Sequence, residues 1–207
     1  MVELVGTRIS VVEAVETRQD GGMDSDAIAS DLTNILYTEE QIRGRIAEMC
    51  RQIEIDYEGR EVLLVGVLKG AVMVMADLAR ELRKVDVQMD WMAVSSYGAS
   101  TESSGVVRIL KDLDTDLQGV HVLIVEDIVD SGLTLSWLRE NLESRGPASV
   151  EICALLRKPE AAKVEIDAKY VGFEIPNEFV VGYGLDYAER YRNLRSVAVL
   201  APHVYSA

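Results

Sequence analysis

Residues 62–68 read Val-Leu-Leu-Val-Gly-Val-Leu, an apolar run with no polar interruption. A run of that length, rich in β-branched side chains, marks a strand buried on both faces, and such strands belong to parallel sheets covered by helices above and below. Similar patterns predict strands over 85–94, 121–125 and 150–156. Between them apolar residues recur at helical spacing. Ile42, Ile46, Met49 and Ile53 follow a capping box that starts at Thr38 and closes at Gln41, which predicts a helix over 38–55; two more are predicted over 71–82 and 133–142. Strands alternating with helices define an α/β domain whose mostly parallel, twisted sheet binds ligands beyond the carboxyl ends of its strands.

A chain of 207 residues is the size of one domain. Residues 1–34 stand apart, with seven acids, two bases and a Gly21-Gly22 pair, and are expected to be an acidic extension with weak or no structure ahead of a domain over 35–207. The net charge of −14 repels phosphate polymers and anionic lipid at long range, so neither nucleic acid nor membrane is an expected partner. Any phosphate the protein binds must be held by local donors or through a metal. Cys50 and Cys153 lie in apolar patterns without CxxC spacing and are expected to be buried thiols. No secretory signal and no stretch as long as a membrane span is visible, which leads to the expectation of a cytoplasmic protein.

Two segments between these elements carry polar chemistry. Residues 95–105 are small and polar, with Gly98 and Gly105, a composition shared by functional lids and ordinary hairpin tips. Residues 122–134 are more specific: a buried strand ends in Glu126-Asp127, and the short loop Asp130-Ser131-Gly132 then opens a helix. Backbone N–H groups at such a helix start, with the Ser131 and Thr134 hydroxyls, can cradle a phosphate monoester without a basic side chain. The two carboxylates suit ribose hydroxyls or a hard cation such as Mg²⁺. A phosphorylated sugar answers both requirements.

Residues 122–134 resemble the phosphoribosyl pyrophosphate (PRPP) signature of the type I phosphoribosyltransferases. Leu68-Lys69-Gly70, Ser96-Tyr97-Gly98 and the 179–187 segment, Phe-Val-Val-Gly-Tyr-Gly-Leu-Asp-Tyr, are similar to the hypoxanthine-guanine branch of that family. The likeness runs from about residue 35 to 202, is nearest to bacterial members, and over 95–114 and 155–159 to actinobacterial ones. It implies a mostly parallel twisted sheet flanked by helices, a small hood subdomain and a flexible lid. The implied reaction is purine salvage: transfer of 5-phosphoribosyl from PRPP to hypoxanthine or guanine, giving IMP or GMP plus diphosphate, with Mg²⁺ required.

The resemblance also implies roles. Asp130 matches the general base that handles the proton at purine N7, and Asp130, Ser131, Gly132, Leu133 and Thr134 match the 5′-phosphate loop. Lys69 and Gly70, joined to Leu68 by a cis peptide in the family, match the diphosphate loop, which Arg192 completes. Lys158 matches the donor to purine O6, Phe179 the ring that stacks on the base, and Val180 a backbone reader. Asp186 matches a second metal contact and, through its carbonyl, a contact to guanine's amine; Glu126 and Asp127 match the ribose and Mg²⁺ pair. Ser96 and Tyr97 match the lid. Members form dimers or tetramers, so a homo-oligomer is expected.

Each residue also has a plainer reading. Asp130 can cap the following helix, Lys69 can be a solvated strand end, and Phe179 can be core. Arg190 and Arg195 read as surface residues, Trp91 and Trp137 as packing residues, and His121 and His203 have no assigned role. The competing functional class is a regulator that keeps the PRPP loop as a sensor and binds nucleic acid. Matches at Asp130, Lys158, Asp186 and Arg192, together with the acidic charge, favour the enzyme.

Overall fold

The computed structural model describes residue 28, residues 30–96 and residues 107–206. In chain order the elements are β1 (Leu32–Tyr37), α1 (Glu39–Asp56), β2 (Glu61–Leu68), α2 (Val72–Glu81), β3 (Asp86–Ser96), β4 (Val107–Lys111), β5 (His121–Val129), α3 (Leu133–Glu143), β6 (Ser149–Arg157), β7 (Tyr170–Glu174), β8 (Val180–Val181), β9 (Val197–Leu200) and α4 (Pro202–Tyr205). They divide into two units, one over Arg43–Asn177 and one formed by the described residues on either side of it. Among the described residues no helix is long and apolar enough to cross a membrane.

The larger unit is a six-stranded sheet in the order β4-β3-β2-β5-β6-β7. Pairings β2 with β3, β2 with β5, β5 with β6 and β6 with β7 are parallel, and only the edge pair β3 with β4 is antiparallel. The β2 run explains the layering. Val62, Leu63, Leu64, Val65 and Val67 are all buried, and alternate residues serve opposite faces. Leu63, Val65 and Val67 join Val122, Ile124, Val150, Ile152 and Ala154 against Leu135, Leu138 and Leu142 of α3. Those leucines sit three and four residues apart, one helical stripe, and truncating the fully buried Leu138 to alanine would cost about 2 to 5 kcal/mol.

α1 begins as its sequence dictates. The Thr38 N–H donates to Gln41 Oε1 at 2.9 Å and the Gln41 N–H to Thr38 Oγ1 at 3.4 Å, closing the capping box. Ile46, Met49 and Ile53 are buried along it, and Arg45 donates to the Val171 and Gly172 carbonyls of β7. Cys50 and Cys153 are free and buried. Trp137 packs against the α3 core.

The smaller unit holds an antiparallel sheet in the order β1-β9-β8. Its buried centre is Val181, Tyr191 and Leu200, with Leu32, Tyr187, Leu194 and Val204 packed around it. β1 starts at Leu32, so Leu32 and Asn34, assigned by the sequence to an unstructured extension, pair with Leu200 and Val199 of β9 instead, with Thr33 in an irregularity between them. Six residues of partly exposed strand carry too little alternation to stand out from the acidic stretch before them.

Candidate active site

Parallel strands end on the same edge of a sheet, and in this sheet the chain turns back on itself between β2 and β5. From β2 it proceeds to β3 on one side, then returns to β5 on the other. Loops leaving the carboxyl ends of two such strands diverge and leave a crevice, which is where open α/β sheets bind ligands. Lys69-Gly70 follows β2 and Asp130 to Thr134 follows β5, so topology alone brings the two loops to that point.

The contact between them is close. A Cβ on Gly70 would lie 1.8 Å from Asp127 Oδ2, so only glycine leaves room for that carboxylate. The other oxygen, Oδ1, accepts from the Ile128 N–H at 2.8 Å. The Leu68-Lys69 peptide is cis, as the resemblance implied, and Lys69 is exposed. β5 extends to Val129, so Glu126 and Asp127 lie within the strand rather than beyond its end. The periodicity ended the strand at Val125 because charged residues there look like a solvated terminus. Burial, and then the charge of Asp127, hold the Glu126 carboxyl well above the ordinary carboxylate range.

The loop from β5 into α3 makes a nest of backbone donors. Gly132 is the N-cap at φ 79°, and a Cβ there would meet the Ile166 side chain at 2.8 Å. The Ser136 N–H donates to the Gly132 carbonyl at 2.8 Å, so the N–H groups of the preceding turn come before the helix's own ladder. No side chain caps this helix, which corrects the capping role open to Asp130. The back of the loop is fixed by Lys163 and Val164, whose N–H groups donate to the Ser131 carbonyl at 3.0 and 3.3 Å.

β6 delivers Lys158 beside this loop. Its N–H donates to the Val129 carbonyl at 2.9 Å, and its ammonium lies 3.4 Å from Asp130 Oδ2. The Lys158 side chain is 9% exposed and the Asp130 side chain 55%, so the lysine is the sequestered partner and the carboxylate the accessible one. Residues 130 and 158 are joined only by strand pairing, and no spacing rule could have linked them.

In the smaller unit, the connection after β8 bears Asp186 and Arg192. Tyr183, Ala188, Glu189 and Tyr191 all have positive φ, between 50° and 73°, in that one segment. Side chains disfavour this region, and such clusters persist where surrounding contacts hold them. Here the contacts converge on Arg192, whose Nη2 lies 2.7 Å from Asp186 Oδ1 and whose Nη1 donates to the Gly184 carbonyl at 2.7 Å. The Glu189 N–H donates to Asp186 Oδ2 at 2.9 Å. Arg192 Nε is buried without an acceptor among the described residues, and Arg192 lines a cavity of about 370 Å³ with Ile28 and residues 189–193. The part played by Gly184 was not legible, because it acts through its carbonyl, and Glu189 adds its carboxylate, 3.5 Å from Arg192 Nη2, to its N–H bond to Asp186.

Val180 is buried and pairs with Val199, while Phe179 is exposed to 38% and touches Tyr187 and Tyr205. Neither tyrosine was singled out by the sequence. Ser96 ends β3 opposite Val107, and Tyr97 with the rest of the expected lid lies outside the described residues. Arg195 is exposed and ion-paired to Glu39, in keeping with a surface role. His121 bonds Ser149 at 2.8 Å.

Residues 33–188 match the phosphoribosyl transferase domain family. The chain is 56% identical over 190 residues to a hypoxanthine-guanine phosphoribosyltransferase of Mycobacterium tuberculosis, covering 89% of this chain and 94% of that one. It is 50% identical over 177 residues to the Bacillus subtilis protein of the same name, covering 86% and 98%. Among solved structures, a hypoxanthine phosphoribosyltransferase from Staphylococcus aureus superposes with a TM-score of 0.86 at 47% identity, over 90% of this chain and all of that one.

Proposed function

The chain belongs to the phosphoribosyl transferase family and serves purine salvage by transferring 5-phosphoribosyl from PRPP to hypoxanthine or guanine, and we propose that Asp130 and Lys158 are the pair that recognises and deprotonates the base. The observation that carries this reading is their 3.4 Å separation at the adjacent carboxyl ends of β5 and β6. A 6-oxopurine presents N7 and O6 side by side on one edge. A buried ammonium next to an accessible carboxylate complements that edge: Lys158 donates to O6 and Asp130 accepts the proton from N7. Adenine has an amino group in place of O6 and offers the lysine no acceptor.

N9 of the base forms its bond to C1 of the ribose as the bond from C1 to the diphosphate oxygen breaks, and the purine proton passes to Asp130. The N–H groups and hydroxyls from Ser131 to Thr134 hold the 5′-phosphate. Lys69, Gly70 and Arg192 hold the leaving diphosphate, Phe179 stacks on the base, Val180 reads it through main-chain atoms, and Ser96 and Tyr97 close the lid that excludes water.

Glu126 and Asp127 are adjacent hard-oxygen donors and fit Mg²⁺ completed by water and substrate oxygens; Asp186 is the proposed second contact. When bound, the cation neutralises the charge on PRPP and its diphosphate. A homo-oligomer, dimer or tetramer, is proposed as the working assembly and is checked by light scattering of the purified chain.

The test is nucleotide formation from PRPP and Mg²⁺ with hypoxanthine, guanine, xanthine or adenine. IMP and GMP without AMP supports the pairing of Lys158 with O6. AMP formed at a comparable rate would refute it.

A further inference from the structure

We propose that Tyr205, the last residue of α4, is a positioning residue for purine binding: its ring backs Phe179 and fixes the plane on which the base stacks. The inference rests on the reading that Phe179 stacks on the base. Tyr205 lies parallel to Phe179, with ring centroids 5.1 Å apart and an interplanar angle of 22°. Tyr187 meets the same ring edge-on at 5.7 Å and 86°. One parallel and one perpendicular neighbour oppose the two motions open to a phenylalanine ring, tilting and rotation about χ1. Both geometries are the favoured ones for aromatic pairs.

Phe179 remains 38% exposed with both neighbours in place, which leaves ring surface for a third partner. An exposed phenylalanine with nothing behind it would sample several rotamers, and binding a base would have to freeze one of them. A ring already clamped has lost that freedom on folding, so less is lost on binding.

Tyr205 is 38% exposed, but the main chain that carries it is well anchored. The Leu200 N–H donates to the Phe179 carbonyl at 2.8 Å, so β9 reaches α4 directly from the residue that α4 comes back to cover. The Ala201 N–H donates to the Asp31 carbonyl at 2.7 Å, Pro202 opens the helix, and Val204 packs on the Val181, Tyr191 and Leu200 cluster. The Ser206 N–H closes the turn on the Pro202 carbonyl at 2.9 Å. The chain thus spends its final described turn on placing one aromatic ring.

A backing ring acts on the plane of the stack and not on the exocyclic groups of the base. The expected signature is therefore specific. In Tyr205→Ala the KM for hypoxanthine and for guanine should rise by the same factor, about two- to tenfold for the loss of an aromatic pair, while the KM for PRPP stays within twofold. Tyr205→Phe keeps the ring and should restore both purine values. Phe179→Ala should raise the purine KM at least as far, and the double variant should be no worse than Phe179→Ala alone, because Tyr205 acts only through Phe179.

Steady-state kinetics on the full-length variants, with circular dichroism to verify folding, decides the matter; Tyr205→Leu replaces the alanine variant if that one does not fold. Normal purine KM in Tyr205→Ala beside a raised one in Phe179→Ala overturns the proposal and leaves the stacking reading intact. Normal purine KM in both variants overturns the stacking reading and the proposal with it. Equal rises for purine and PRPP, or a Phe variant as impaired as the Ala variant, also overturn the positioning role.

Discussion

Gly70→Ala isolates the junction of the two loops. The added Cβ would sit 1.8 Å from Asp127 Oδ2 and 2.6 Å from its Cγ, where ordinary contact begins at 3.4 Å, so the carboxylate must retreat by at least about 1.6 Å. What gives way is the end of a side chain, and Gly70 needs no positive φ, so the fold should tolerate the change. The proposed contacts of Asp127 to ribose and Mg²⁺ should not, since a misplacement of about 1 Å in a positioning group can cost on the order of a hundredfold in rate. A hundredfold loss corresponds to about 2.7 kcal/mol of transition-state stabilisation. The assay is kcat/KM for PRPP at saturating hypoxanthine, with thermal unfolding followed in parallel. A variant that keeps kcat/KM within threefold of wild type would show that the Gly70 to Asp127 contact has no part in PRPP turnover. A collapse in Tm would show that the contact is structural.

Asp130→Asn should lower kcat by about 10² to 10⁴ while the PRPP Kd, read by calorimetry, stays within threefold; an unchanged kcat would remove Asp130 as general base. Gly44→Ala places a methyl on an exposed turn of α1 with nothing within 4 Å, and should raise stability by about 0.5 to 1 kcal/mol in urea unfolding. Asp90 tests the pH dependence of folding: burial opposes its charge, but the N–H groups of Trp91, Asp114 and Thr115 and the Thr115 hydroxyl donate to it and leave its pKa below the usual carboxylate value. Because the folded pKa is depressed, this stabilisation is present above the unfolded carboxylate range, about pH 4, and fades as pH falls through the folded value. Asp90→Asn should cost about 1 to 3 kcal/mol at pH 7 and flatten the acid limb of the stability curve, measured by denaturant titration between pH 3 and 7.

The central strands and helices were legible because burial writes itself into local composition. An all-apolar β2 has no other stable placement, and the Thr38 and Gln41 pair marks the start of α1 to within a residue. β1, β8 and β9 were not legible, because each is short, six, two and four residues, and its partners are remote: Leu32 pairs with Leu200. In the candidate site, the proposed phosphate loop could be read directly, since one continuous segment supplies its glycine, its hydroxyls and its helix start. The pairs Asp130 with Lys158 and Asp186 with Arg192 could not. Sequence names their members but contains no rule that couples positions across a strand pairing, or across a segment bent by four non-glycine residues at positive φ.

In their proposed roles, those two pairs reconcile the acidic charge with an anionic substrate. A net charge of −14 opposes phosphate at a distance, but within a Debye length of about 8 Å the local arrangement decides. Arg192 is 24% exposed and Lys158 9%, so both cations are set into the fold, and each is held by a carboxylate of the same chain within 3.4 Å. A buried cation with no such partner would be costly to keep charged. Under the proposed roles the acids at 130 and 186 therefore do two jobs: they stabilise the cations that are proposed to meet the ligand, and they offer their own carboxylates to it. At Asp130 this makes asparagine a more informative replacement than alanine. The amide oxygen still accepts from the Lys158 ammonium, so what is lost is the negative charge and the capacity to take a proton, while alanine would also strand the lysine.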